Sequence, residues 1–111
     1  MQKVKFISAE GILEMQTNEE PFVLVEALSP EQFKEGHLPH AINIPFDQTE
    51  SAAPKLLPDK KATIITYCNG YLCSSSTESA RIFMGMGYQK VLDFKAGKPG
   101  WKMLGLPIVK N

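Results

Sequence analysis

The chain has 111 residues, of which 43% are hydrophobic and 22% charged, the size and composition of one globular domain with its own core, spanning 1–111. Twelve basic residues balance twelve acidic ones, so no net field draws nucleic acid or a membrane surface, and neither is expected as a partner. Only two cysteines are present, Cys68 and Cys73, too few for a disulfide-built scaffold; with too short an apolar run in Met1 to Ser8 for a secretion signal, they predict a reducing, cytoplasmic setting.

In chain order, Val4 to Ile7 reads as a strand and Ala9 to Gln16 as a helix, followed by a second such pair, Phe22 to Glu26 and Pro30 to Glu35. Ser29 is the N-cap of that second helix, Pro30 its first residue and Gln32 the partner that completes a capping box, while Gly36 stops it. In the connecting stretch Asp47 to Lys61, Pro54 and Pro58 bracket a short helix, Ala53 to Leu57. Ala62 to Tyr67 is the next strand, Ser75 to Met86 a long helix ended by Gly87, and Val91 to Phe94 a further strand. Strands alternating with helices predict a parallel α/β sheet flanked by helices, whose ligands bind beyond the carboxyl ends of the strands. Three segments should therefore converge: Ala27 to Ser29, the loop that begins at Cys68, and Lys95 to Gly100.

Cys68 is the most informative residue. It lies between the β-branched run ending at Tyr67 and the hydroxyl-rich helix start Ser74 to Thr77, where unpaired backbone N–H groups and the helix dipole favour an anion. A dipole contribution of roughly 0.3 to 1 kcal/mol, set against about 1.36 kcal/mol per pKa unit, predicts a thiol that ionises more readily than a free cysteine. Cys68 is thereby expected to be a nucleophile, with Asn69, Gly70, Tyr71, Leu72, Cys73 and Ser74 forming the loop around it. Asn69 and Gly70 suit a tight cradle because both tolerate positive φ.

Three segments resemble the rhodanese-like, or sulfurtransferase, family. They are Glu35-Gly-His-Leu-Pro-His-Ala-Ile-Asn-Ile-Pro45, Tyr67-Cys68 with its loop, and Ala96-Gly97 leading through Trp101 to Gly105-Leu-Pro107. The resemblance implies an open five-stranded parallel sheet with helices on both faces, and it puts Cys68 in the place of the cysteine that carries a persulfide. A thiolate there takes the outer sulfur of a donor and passes it to a thiophilic acceptor in two steps. No cofactor is implied.

The chain also departs from the family's pattern. Active members often carry a basic residue five positions after the cysteine, which here is Cys73, and an Asp-x-Arg after the second strand, which here reads Glu26-Ala27-Leu28. No residue from Asn69 to Ser74 is charged, so thiosulfate loses its bidentate partners and is discounted as the natural donor. Leu28, Tyr71 and Leu72 are instead expected to give an apolar mouth suited to a protein or low-molecular-weight persulfide. Phosphatases of the same fold need an arginine where Ser74 stands, which counts against phosphate-ester cleavage.

Lys98 is the candidate replacement cation facing Cys68, against the plainer reading of a solvated lysine; Glu26, Leu28 and Lys98 are the supporting residues to watch. His37 reads as a hydrogen-bonded turn residue, His40 as a surface residue where the family has glycine, and Trp101, Met84, Met86 and Met103 as packing. Two histidines and two cysteines without zinc-site spacing predict no metal site. Cys73 is either a spectator or a resolving thiol within disulfide reach of Cys68. The leading functional expectation is a sulfurtransferase or persulfide carrier. Its partners would be a small sulfur donor or a persulfide-bearing protein, and a thiol or other thiophilic acceptor. The competing readings are a catalytically weak rhodanese-like binding or regulatory module and a thiol-disulfide, arsenate-type reductase running on Cys68 and Cys73.

Overall fold

Five strands, all parallel, run in the order β1-β5-β4-β2-β3 in the computed structural model, which describes residues 3–110. They are β1 (Lys5–Phe6), β2 (Val23–Glu26), β3 (Ile42–Asn43), β4 (Thr63–Tyr67) and β5 (Lys90–Phe94). The helices are α1 (Ala9–Thr17), α2 (Pro30–Glu35), α3 (Thr49–Leu56), α4 (Ser75–Gly85) and α5 (Gly97–Met103), with a single 3₁₀ turn at Phe46–Gln48. The edge strands β1 and β3 are two residues each and the central β4 and β5 five each, as suits a sheet that buries its middle and leaves little edge to pair.

Alternation along the strands sorts side chains between two cores. Ile64 and Val25 face α3 and α4, joining Ala53, Ala80, Phe83 and Val91. Leu24, Ile65, Tyr67 and Phe94 face the other way, against Ile12 of α1, Leu38, and Trp101 of α5. The β2–β4 register sets Glu26 opposite Tyr67 and Leu24 opposite Ile65, so Glu26 shares Tyr67's face of the sheet.

The expected elements form with small shifts at their ends, and α2 runs from Pro30 to Glu35 with its Ser29–Gln32 capping box as read from sequence. Two segments differ. Instead of a helix confined to Ala53–Leu57, α3 begins at Thr49 and carries Pro54 inside it. The bond that Pro54 forfeits is to the carbonyl of Glu50, an exposed residue. Buried Thr49, bonded to the Phe46 carbonyl at 2.8 Å and 3.3 Å from the Ser79 hydroxyl, anchors the helix start, and buried Ala53 and Leu57 hold its inner side. The second difference is α5, which occupies part of the stretch read as a Lys95–Gly100 loop. Pro99 lies in its first turn, where a missing N–H costs no helical bond. Among the described residues no helix is long and apolar enough to cross a membrane.

Candidate active site

The carboxyl ends of β2, β4 and β5 converge as expected. Cys68 follows β4 directly and is buried at 1% exposure, while Cys73 is half-buried; neither is in a disulfide. The intervening loop curls back through a turn in which the Cys73 amide donates to the Gly70 carbonyl at 3.0 Å. Gly70 has φ +112°, so the positive φ expected in the cradle is used there, and Asn69 does not share it. Beneath the loop, the Lys98 amide donates to the Cys68 carbonyl at 3.1 Å. A Cβ on Gly97 would lie 2.3 Å from that same carbonyl oxygen, and its φ is +61°. Only glycine permits this approach of α5 to the loop.

The Cys68 thiol lies 3.4 Å from the Ser76 hydroxyl in the first turn of α4 and 3.4 Å from the Cys73 carbonyl. Its placement at the helix start agrees with the sequence reading, but the expected lowering of its pKa does not hold. Burial pushes the Cys68 thiol above its ordinary value and the neighbouring Cys73 thiol adds to this, outweighing the Ser76 hydroxyl and amide that favour the thiolate. Cys73 goes the other way. Burial opposes its ionisation, yet the Asn69 amide, the Cys68 thiol and the amide and hydroxyl of Ser75 together bring it below the ordinary thiol value. The more readily ionised sulfur of the pair is therefore Cys73.

Lys98 is neither a cation facing Cys68 nor a solvated lysine. It is buried, with its ammonium 3.0 Å from Glu26 Oε2 and 2.8 Å from the Gln32 carbonyl. Glu26 Oε1 accepts from the Tyr67 hydroxyl at 2.8 Å, and that hydroxyl accepts from the Leu38 amide at 3.1 Å. Burial raises the Glu26 carboxyl above its usual range despite Lys98 and Tyr67, and burial with the adjacent carboxylate holds the Tyr67 phenol protonated. This network ties the end of β2 to the end of β4 and to the first turn of α5, so it fixes the floor on which the Cys68 loop rests.

Leu28 is likewise corrected. Its side chain is buried and its carbonyl holds Asn43 of β3 at 2.8 Å, so it lines no open mouth. Tyr71 and Leu72 do project into solvent, at 73% and 104% exposure, and Asn69 and Ser74 are exposed with them. An open groove of about 660 Å³, lined by Phe6, Ile7, Tyr71, Lys95, Met103 and Leu104 among others, runs along this side of the loop. Met103 is 87% exposed there, not packed as the sequence reading has it, whereas Met84 and Met86 pack on the α3–α4 core. Trp101 is buried, donating to the Pro107 carbonyl at 2.8 Å. His37 stacks on Phe33 at 3.8 Å with Nδ1 2.9 Å from the Phe33 carbonyl, a structural position, and His40 is exposed with φ +67°.

Two contributors escape a reading of the sequence alone. Ser76 is one: its hydroxyl meets Cys68 only because the loop brings the first turn of α4 over the thiol. The other is Lys95, half-buried, whose ammonium donates to the Cys73 carbonyl, the same oxygen that receives the Cys68 thiol. The signal for it was its place as the first residue after β5, at the ligand-binding edge of a parallel sheet. It is the charge that approaches the loop. Among the described residues no group of His, Cys, Asp and Glu could hold a metal ion.

A parallel five-stranded sheet with a thiol at the end of its central strand, held in a curled loop over a helix start, defines the structural class of this α/β domain. The rhodanese-like domain family model matches residues 8–104, and the chain belongs to that family. It is 34% identical over 87 residues to the thiosulfate sulfurtransferase PspE of Escherichia coli, covering 78% of each protein. It is also 32% identical over 85 residues to an HTH-type transcriptional regulator of Mycobacterium tuberculosis, covering 77% of this chain and 36% of the regulator. Among solved structures, the BH2092 protein of Bacillus halodurans superposes with a TM-score of 0.83 at 27% identity, over 96% of this chain and 77% of that one.

Proposed function

We propose that this chain is a sulfurtransferase that carries sulfane sulfur as a persulfide on Cys68. The observation that carries the reading is the Cys68 thiol itself, at the end of the central strand and against the Ser76 hydroxyl and amide at the start of α4. Those groups favour a sulfur anion. A donor's outer sulfur bonds to Cys68 Sγ as the donor's remainder leaves, and an acceptor thiolate then attacks that outer sulfur and regenerates the Cys68 thiolate.

The donor is a low-molecular-weight or protein persulfide in preference to thiosulfate. Loop residues 69–74 carry no charge, the Lys95 ammonium is directed at a backbone carbonyl, and exposed Tyr71 and Leu72 offer apolar contact. Acceptors are thiols, which fits a cytoplasmic, reducing setting for both cysteines. A second reading, a module that binds or regulates without turnover, is favoured by the burial of Cys68 and its raised pKa.

Intact-mass measurement after exposure to glutathione persulfide and, separately, to thiosulfate tests the proposal. A gain of one sulfur on the parent chain, absent in Cys68→Ser and far faster with the persulfide, is the expected result. No sulfur gained from either donor would leave the non-catalytic module, and equal use of both donors would overturn the donor preference.

A further inference from the structure

We propose that Cys73 gives the sulfur-loaded protein a second activity, reductive release of the bound sulfur as hydrosulfide with closure of a Cys68–Cys73 disulfide. The inference rests on the reading of Cys68 as the persulfide carrier. Its geometric basis is the curl of the loop. The Gly70–Cys73 turn and the left-handed Gly70 fold residue 73 back over residue 68, and the Cys68 thiol donates to the Cys73 carbonyl at 3.4 Å. Each thiol also perturbs the ionisation of the other, raising that of Cys68 and lowering that of Cys73. Lys95 fixes the Cys73 carbonyl from outside, and the Gly97 approach closes the loop from below.

Accessibility divides the two sulfurs of a persulfide at this site. Cys68 is 1% exposed, so an external thiol reaches only the outer sulfur. Cys73, already inside the loop, reaches the inner one, and an attacker held in place needs no encounter. Cys73 is also the thiol that its surroundings bring below the ordinary value, in the direction that favours the attacking thiolate.

The step balances without an outside oxidant. The Cys73 thiolate attacks Cys68 Sγ of the Cys68–S–SH group, and a bond forms between the two cysteine sulfurs. The persulfide S–S bond breaks, and its electron pair leaves on the outer sulfur as HS⁻, with the proton that sulfur already carries. Cys73 Sγ is oxidised to the disulfide level, Cys68 Sγ exchanges one S–S bond for another, and the outer sulfur is reduced to hydrosulfide. A cellular dithiol reductant then restores the two thiols for another cycle. Transfer to an acceptor and release as hydrosulfide thus compete for one persulfide, and the abundance of acceptor sets the partition.

The test loads the full chain with glutathione persulfide, removes the donor, and follows intact mass and hydrosulfide with no thiol added. In the parent, the species carrying one extra sulfur should give way to one lacking two hydrogens. One equivalent of hydrosulfide should appear, and peptide mapping should locate a Cys68–Cys73 disulfide. In Cys73→Ser, and in Cys73→Ala as a second variant, the extra sulfur should persist at least about tenfold longer with no such disulfide. Equal persulfide lifetimes in parent and variants, or sulfur loss without the disulfide, would overturn the proposal and leave the carrier reading intact. If neither parent nor variants gain a sulfur, the carrier reading fails and this one fails with it.

Discussion

Lys98→Met is expected to destabilise the fold by about 3 to 5 kcal/mol, because it strands Glu26 as a buried carboxylate without its cation. A surface pair at the same separation would be worth about 1 kcal/mol or less. Here the side chains are 9% and 0% exposed at an N–O distance of 3.0 Å, so solvent cannot take over from the lost ammonium. Methionine keeps most of the lysine stem's volume, which holds the cavity contribution down. At roughly 4 to 8 °C per kcal/mol for a small domain, Tm should fall by more than about 10 °C. The deficit should depend on pH. Burial raises the folded-state pKa of Glu26 above its unfolded value, so its favourable contribution is complete below the unfolded pKa and is lost as pH rises through the folded one. Removing Lys98, which lowers that pKa, raises it further. The variant's deficit should therefore be largest in mildly alkaline buffer and shrink in acid as Glu26 takes up a proton. Urea unfolding followed through the fluorescence of Trp101, buried in the adjoining core, measures this in both buffers. The double variant Glu26→Gln/Lys98→Met, which leaves no stranded charge, should recover more than half the loss. A deficit below about 1 kcal/mol, a deficit independent of pH, or a double variant no better than Lys98→Met would refute the argument.

Three further outcomes are expected. Alkylation followed by peptide mapping across neutral pH should modify Cys73 ahead of Cys68, and Cys73→Ala should make Cys68 ionise at lower pH, since the neighbouring thiol helps to raise it; faster labelling of Cys68 in the parent would contradict the assignment. Gly97→Ala should cost at least about 2 kcal/mol in urea unfolding, from a left-handed φ together with a Cβ 2.3 Å from the Cys68 carbonyl, and should slow sulfur loading. His40→Gly should stabilise the protein by roughly 0.5 to 1 kcal/mol, because His40 holds φ +67° at an exposed turn where glycine carries no Cβ penalty; a loss of thermal stability would show that the histidine side chain contributes more than its backbone strain.

Much of the architecture was legible in the chain because it depends on local signals. The capping box at Ser29–Gln32 and the β-branched run before Tyr67 each fix an element through contacts a few residues apart, and strands alternating with helices leave a parallel sheet as the way to bury both faces. The motif around Gly36 to Pro45, with Tyr67-Cys68 and the Ala96–Pro107 stretch, carried the family resemblance and with it the number of strands, five, while the structure located the fifth at Ile42–Asn43, too short to announce itself. Proline misled where its position within a helix decided the matter, at Pro54 in α3, since the sequence does not say how many residues of the helix precede it.

What the sequence by itself determined was therefore the layout, and the placement of a cysteine at the end of the central strand. What only the tertiary structure decided was the electrostatics around it. Burial depends on which elements pack over a residue, and it raises the Cys68 thiol pKa that its place at a helix start was expected to lower. The pairing of Lys98 with Glu26 joins residues 72 positions apart and needs β2 and α5 to meet. The approach of Lys95 to the Cys73 carbonyl needs the loop to curl back toward β5. Charge and acidity in a protein are set by distance and by exclusion of water, and neither is a local property of the chain.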